Sequence, residues 1–272
     1  LSLGVQSAHP DDLRLLERGH DYATVIRAVT WARQAGFRNL NLDLIFGLPH
    51  QPLSRWQQSL ELVLGLQPEH LSLYALTLEH GTPLAHWVAQ GLLPQPDPDL
   101  AADMYLWADE RLKQAGFQQY EISNWARPGM ACRHNLQYWR NLPYLGLGAG
   151  AHGYTNQTRT INVLTPGAYI RRLETATEPR AFPRSPATVE ARALTLADEM
   201  AETMMMGLRL TEEGVSRRTF AQRFGRALEA VYGPTIERLQ KQGLLTWSPD
   251  RERLRLTSRG RLLGNWVFRE FV

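Results

Sequence analysis

The sequence predicts an α/β fold built on a parallel sheet or barrel, followed by a winged-helix-like end. Three observations carry this expectation. Strand-length apolar runs alternate with amphipathic helical stripes through the first 76 residues, which is the β-α-β-α-β order of a parallel sheet. The run Leu40 to Phe46 is apolar on both parities around Asn41 and Asp43, as in a strand covered on both faces. Beyond residue 190 the order is helix, helix, hairpin, helix.

The elements follow in order. Leu1 to Ser7 reads as a strand. Tyr22, Val25, Ile26, Val29 and Ala32 keep helical spacing, and Gly36 closes that helix. After the second strand comes the breaker Gly47-Leu48-Pro49, then a helix with Leu53, Trp56, Leu60, Val63 and Leu64 on one stripe. His70 to Leu76 is the third strand. Pro94, Pro96 and Pro98 mark a loop, and a helix runs from Leu100 to Gly116. Tyr120 to Asn124 reads as a short strand. Polar and turn-rich sequence follows, with a linker at Pro179, Pro183 and Pro186. One long helix is expected over 191–208, two shorter ones near 215–225 and 228–242, and a hairpin over 243–247 and 253–256. Thr257 caps a final helix. The expected domains are 1–178 and 185–272.

Composition narrows the class. With 272 residues, 43% hydrophobic and 21% charged, the chain is neither wholly disordered nor fibrous. No apolar run approaches the roughly 18 residues of a membrane span, and no signal peptide opens it. A cytoplasmic location, with membrane contact through a partner, is the matching expectation. One cysteine, Cys132, excludes an internal disulfide framework and an all-cysteine metal cage. Residues 165–272 carry 18 basic and 13 acidic side chains, weak evidence for nucleic acid.

Ligands of α/β sheets gather at the carboxyl ends of parallel strands. That rule selects Gln6, Asp43, Ser72, Tyr74 and Thr77. A carboxylate amid Leu42, Leu44 and Ile45 needs a partner. Asp43 is therefore either a structural group or a ligand contact, with Arg18 a natural partner for it or for a ligand carboxylate. Gly148 to Gly153 matches G-x-G-x-x-G, but no helix is expected to begin inside it, so close backbone packing explains the glycines better. Cys132-Arg133-His134-Asn135-Leu136-Gln137-Tyr138-Trp139 is expected in a loop. Its residue types suit an iron or haem ligand beside aromatic walls, or a turn histidine with aromatics at a core edge. Met204-Met205-Met206 reads as core packing. The balanced charge of 228–242 suits a cover or protein-contact domain better than a phosphate surface.

These segments resemble the radical-SAM family of oxygen-independent coproporphyrinogen III oxidases and, within it, the HemW-type haem chaperones. The resemblance runs over nearly all 272 residues. It is carried by Leu3-Gly4-Val5-Gln6-Ser7, Arg18-Gly19-His20, Asn41 to Pro49 and His70 to Tyr74. Tyr120 to Asn124, His134 to Trp139 and Gly146 to His152 are closer to the chaperone branch. The resemblance implies the C-terminal part of a partial (βα)6-type barrel plus the family's accessory domain. It implies S-adenosylmethionine contacts at Gln6, Arg18 and Asp43. It also implies haem binding at His134, Asn135, Tyr138 and Trp139, with His134 as first iron ligand and Cys132 a weaker candidate. Delivery of haem to membrane respiratory enzymes is the implied role, and no nucleic acid is expected as a partner.

Family members also carry a CxxxCxxC motif for a [4Fe-4S] cluster, and one cysteine cannot supply it. Together with a first residue already in mid-strand, this leads to the expectation that the natural protein extends about 100 residues or more upstream. Radical chemistry is not expected of these 272 residues alone. Two alternatives stand beside the chaperone reading: a coproporphyrinogen III oxidase, and a winged-helix regulator that binds DNA.

Overall fold

The computed structural model describes residues 1–178 and 180–272; Pro179, part of the expected linker, lies outside the described residues. The chain forms two compact units, Leu1–Ala131 and Cys132–Val272.

The first unit holds β1 (Ser2–Gln6), α1 (Pro10–Leu15), α2 (Tyr22–Gln34), β2 (Asn41–Phe46), α3 (Leu53–Leu64), β3 (His70–Ala75), α4 (Pro83–Ala89), α5 (Pro98–Gln114), β4 (Gln118–Glu121) and β5 (Asn124–Ala126). Its sheet has the order β1-β2-β3-β5-β4. The first three strands are parallel, as the alternating pattern predicts, and β5 and β4 run antiparallel. The single strand expected over Tyr120 to Asn124 is instead a hairpin that turns at Ile122 and Ser123.

Strand parity sorts the two faces. Leu42, Leu44 and Phe46 of β2, Leu71 and Leu73 of β3 and Trp125 of β5 join one core cluster with α2, α3 and α5. Trp56, Leu60 and Val63 form the buried stripe of α3; Met104, Ala108 and Leu112 form that of α5. These i, i+4 spacings put apolar side chains on one helical face. Asp21 caps α2 through the Thr24 amide, and Asp97 caps α5.

The second unit holds α6 (Arg133–Trp139), β6 (His152–Thr155), β7 (Thr158–Asn162), α7 (Pro166–Glu174), β8 (Thr188–Ala193), α8 (Leu196–Gly207), β9 (Val215–Ser216), α9 (Arg217–Phe224), α10 (Leu228–Lys241), β10 (Leu245–Trp247), β11 (Arg253–Leu256), α11 (Ser258–Leu262) and α12 (Gly264–Arg269). Two three-stranded antiparallel sheets result, β6-β7-β8 and β10-β11-β9. The second is the expected hairpin, extended by β9.

Other expectations also differ from what is found. The loop expected at Cys132 to Trp139 is a helix, α6. The long helix over 191–208 starts only at Leu196, because Thr195 and Asp198 form a reciprocal capping box there. Residues upstream of that cap pair with β7 as β8. β7, before the expected division at 178–185, and β8, after it, are neighbours in one sheet. The final helix breaks at Leu263 into α11 and α12.

Asn156 and Gln157 both have positive φ in the β6-β7 turn, a two-residue connection whose twist suits a hairpin. The G-x-G-x-x-G stretch leads into β6 rather than a helix. A Cβ on Gly146 would fall inside the backbone carbonyl of His152, so this glycine permits close strand approach. Met204 is fully buried in the core.

Candidate functional site

In the first unit the sheet face away from the helical core is polar. Parallel register places Asn41 beside His70 and Asp43 beside Ser72, and Ser72 faces Asn124 of β5. Ser2 Oγ donates to Asp43 Oδ2 (3.1 Å), and Asn41 Nδ2 donates to Asp43 Oδ1 (2.7 Å). The half-buried Asp43 is therefore held by Ser2 and Asn41. Arg18, expected to pair with it or with a ligand carboxylate, is exposed, and among the described residues its guanidinium has no hydrogen-bond or ion-pair partner. Parallel pairing brings Ser2 across from Asn41, a proximity that chain distance conceals.

The network continues across the sheet. Asn41 Nδ2 faces the carboxylate, so its Oδ1 accepts, and His70 Nδ1 donates to it (2.7 Å). His70 Nε2 then accepts from the Tyr120 hydroxyl (2.8 Å). Ser72 Oγ lies 2.7 Å from Asn124 Oδ1 and 3.1 Å from Asn41 Oδ1. Asn124 in turn donates to Glu121. Polar residues at alternate positions in two neighbouring strands, Asn41/Asp43 and His70/Ser72, were the sequence signal for this face.

Burial pushes the His70 imidazole down to about 4 from an ordinary 6.5. Between these values the unfolded chain takes up a proton that the folded chain does not. Stability therefore falls as pH drops from about 6.5 toward 4 and is level above that window. The loss expected at pH 4 is about 3 kcal/mol. Urea midpoints at pH 5 and pH 7.5, compared between the protein and His70→Gln, check it: the slope should shrink in the variant, and an equal slope in both would contradict it.

At the strand ends a second network was missed by sequence reasoning. Asp12, 1% exposed, accepts from Ser7 Oγ (2.8 Å), from Gln51 Nε2 (2.9 Å) and from Arg55 Nη1 (3.2 Å). Gln51 Oε1 accepts from the Gly47 amide (2.9 Å) and the Leu48 amide (3.3 Å). One buried carboxylate thus ties the turn after β1 to the turn after β2. Gln6, which ends β1, has φ of 67°, and its amide folds over Gly4 where a Cβ would lie. A register shift between Gly4 and Gln6 accompanies this bend.

Gln6, Asp43 and Arg18 offer an amide, a carboxylate and a free guanidinium, a donor set that fits the amino, carboxylate and hydroxyl groups of S-adenosylmethionine. An iron–sulfur cluster does not fit this chain. Cys132 is the one cysteine. Among the described residues no group of three or more histidine, cysteine or acidic side chains could hold a metal ion.

In the second unit α6 carries the HNLQYW segment. Cys132 is its N-cap residue and makes no capping bond through its side chain. His134 is exposed, and among the described residues neither ring nitrogen has a hydrogen-bond partner. Its ring meets the Tyr138 ring edge-on, with centroids 4.9 Å apart, the i, i+4 neighbours of one helical face. Tyr138 meets Tyr144 in the same way at 4.6 Å. Trp139 is turned elsewhere: the Arg209 guanidinium lies 4.5 Å from its ring centre and 5.7 Å from that of Phe268. The helix therefore brings His134 and Tyr138 together and separates Trp139 from them. Asn135 is half-buried. Tyr144 was not singled out by the sequence.

Beside this helix lies a buried polar cluster. Tyr154 donates its hydroxyl proton to Glu199 and accepts from Arg223 Nη2 (3.0 Å). Burial, then the bond to Glu199, pushes the Tyr154 hydroxyl up to about 12, so it stays protonated at neutral pH.

Comparison with known proteins places the chain. The Radical SAM superfamily model matches residues 1–63, and the HemN C-terminal domain model matches residues 194–263. The heme chaperone HemW of Bacillus subtilis is 38% identical over 272 residues, covering 100% of this chain and 69% of that protein. The heme chaperone HemW of Mycobacterium tuberculosis is 40% identical over 273 residues, covering 100% of this chain and 65% of that protein. The chain thus spans about two thirds of these relatives. A solved structure, coproporphyrinogen III oxidase (HemN) from Escherichia coli, described as a radical SAM enzyme, shares the fold. Its TM-score is 0.77 at 22% identity, over 100% of this chain and 63% of that one. Full-length similarity to these relatives, two family-model matches in the expected order and a shared fold agree: the chain belongs to the heme chaperone HemW family of radical SAM proteins.

Proposed function

We propose that this protein binds haem as cargo on α6, with His134 as the iron ligand, and passes it to acceptor proteins. The observation that carries the reading is the exposed imidazole of His134 in the first turn of α6, its ring nitrogens without a hydrogen-bond partner among the described residues, flanked by the Tyr138 ring. A neutral imidazole nitrogen is a haem-iron ligand, and an aromatic edge beside it offers apolar contact to a porphyrin. Relatives at 38% and 40% identity are named heme chaperones, which favours cargo binding over porphyrinogen oxidation. Asn135 lies next to the ligand on the helix. Trp139 supports α6 from beneath through Arg209, and Cys132 is the weaker iron candidate. Membrane respiratory haem proteins are the proposed acceptors, reached from the cytoplasm; no helix among the described residues is long and apolar enough to cross a membrane.

Gln6, Arg18 and Asp43 are the proposed contacts for S-adenosylmethionine. In radical SAM proteins that cofactor supplies radical chemistry when an iron–sulfur cluster is present. The residues of this chain would bind and orient its polar ends, and no radical step is derived from them.

Titration with hemin, followed by the Soret band, tests the cargo reading. His134→Ala should weaken hemin affinity at least about tenfold, the scale on which changes at a metal site's ligand sphere act. Unchanged affinity and spectrum in that variant would remove the assigned site.

A further inference from the structure

The last residues of α6, and the two that follow it, are each fixed by a different part of the fold. Tyr138 packs against Tyr144. Trp139 lies under Arg209. Arg140 makes a two-pronged ion pair with Glu213, Nε to Oε1 3.0 Å and Nη2 to Oε2 2.7 Å. Asn141, 2% exposed and with φ of 47°, ends the helix. Its amide donates to the Tyr138 carbonyl (2.8 Å), its Nδ2 donates to Thr203 Oγ1 of α8 (3.2 Å), and its carbonyl accepts from Arg223 of α9 (2.9 Å).

One side chain joins these anchors. Arg159 of β7 donates from Nη2 to Glu202 Oε2 of α8 (2.6 Å) and from Nε to Glu202 Oε1 (3.1 Å). The same Nη2 donates to Asn141 Oδ1 (3.2 Å), and Nη1 donates to the Tyr144 hydroxyl (3.2 Å). Its guanidinium also lies over the Tyr154 ring at 4.5 Å. A planar guanidinium pairs the carboxylate with two N–H groups while its other N–H directions reach Asn141 and Tyr144; the three tetrahedral donors of an ammonium do not reproduce that arrangement. Arg159 thereby sets both the ring against which Tyr138 packs and the residue that terminates α6.

We propose that Arg159 is the positioning residue of the haem site, fixing the ring ladder Tyr144–Tyr138–His134 to helix α8 so that the His134 imidazole is presented in one orientation. Tyr144 is the intermediary, a third aromatic of the site that the HNLQYW segment does not contain. The inference rests on the reading of His134 as the iron ligand. It adds that the part of the chain matching the HemN C-terminal domain, which includes Glu202, helps determine how haem is held.

Hemin titrations of Arg159→Lys, Tyr144→Phe and His134→Ala, each with the Soret maximum and a thermal unfolding midpoint, test it. Arg159→Lys keeps the positive charge opposite Glu202 but not the shared geometry. It should weaken hemin about tenfold and shift the Soret maximum, so lysine fails to rescue. A purely structural role would let lysine restore both. Tyr144→Phe removes one hydroxyl and keeps the ring, so it should fold and weaken hemin about threefold with a Soret shift of the same sign. Should Arg159→Lys unfold, Tyr144→Phe alone decides. Wild-type affinity and spectrum in Tyr144→Phe and in any folded Arg159→Lys, with binding lost in His134→Ala, would overturn the positioning role and leave His134 as ligand. Wild-type affinity in His134→Ala would overturn both.

Discussion

Asp12→Ala should lower the stability of the first unit by about 3–5 kcal/mol, the cost of removing one member of a buried, hydrogen-bonded charge pair. Asp12 is 1% exposed and accepts from Ser7, Gln51 and Arg55. Its loss strands the buried Ser7 hydroxyl and Gln51 amide and takes the carboxylate from the partly exposed Arg55 guanidinium. The damage also spreads to the turn after β2, because Gln51 holds the Gly47 and Leu48 amides only while its own amide is held by Asp12. Asp12→Asn keeps the shape but loses the charge and should cost less. Urea denaturation followed by tryptophan fluorescence checks the size, with the midpoint moving and the slope unchanged. A loss under about 1 kcal/mol would show that the network is not a structural clamp.

Trp56→Ala should cost a similar amount, about 3–5 kcal/mol, for a different reason. Trp56 is fully buried, packs against Phe46 with ring centres 5.2 Å apart and donates from Nε1 to the Met104 carbonyl (3.1 Å). It is the point where α3, α5 and β2 meet. Alanine leaves a large cavity and removes the indole bond to the Met104 carbonyl. Trp56→Phe fills most of that volume and should recover more than half of the loss. Equal stability of Trp56→Ala and the parent chain in the same denaturation assay would mean the core collapses around the gap.

Strand and helix periods made much of the first unit legible, although β2 read as covered on both faces and Asn41, Asp43 and Ile45 are only half-buried. Leu42, Leu44 and Phe46 sit on one parity, and the helical stripes of Trp56, Leu60 and Val63 or Met104, Ala108 and Leu112 have the matching period. Asp43 stood out for the right reason, a carboxylate among apolar neighbours, but its partners did not. Ser2 comes from a different strand, and only register brings it there. Asp12 and Gln51 lie 39 residues apart in sequence and meet because two strand-end turns converge.

In the second unit the errors have local causes. Helix α6 spans seven residues, too few for a period to declare itself, and its sequence is polar enough to read as a loop. Ala191–Ala193 contains two helix-forming alanines, so it read as the start of α8; pairing with β7 overrides that propensity. Arg159 belongs to no motif, and nothing in its neighbours marks it. Its role follows from three partners that only the fold assembles.

The central claim is that His134 ligates haem iron on a helix held rigidly at its other end. Electron–nuclear double resonance on the ferric, hemin-loaded protein, with histidine ring nitrogens isotopically labelled, tests it most directly. A hyperfine coupling to a labelled histidine nitrogen, lost in His134→Ala, is the predicted result. A spectrum with no histidine coupling, or a coupling that survives His134→Ala, would contradict it.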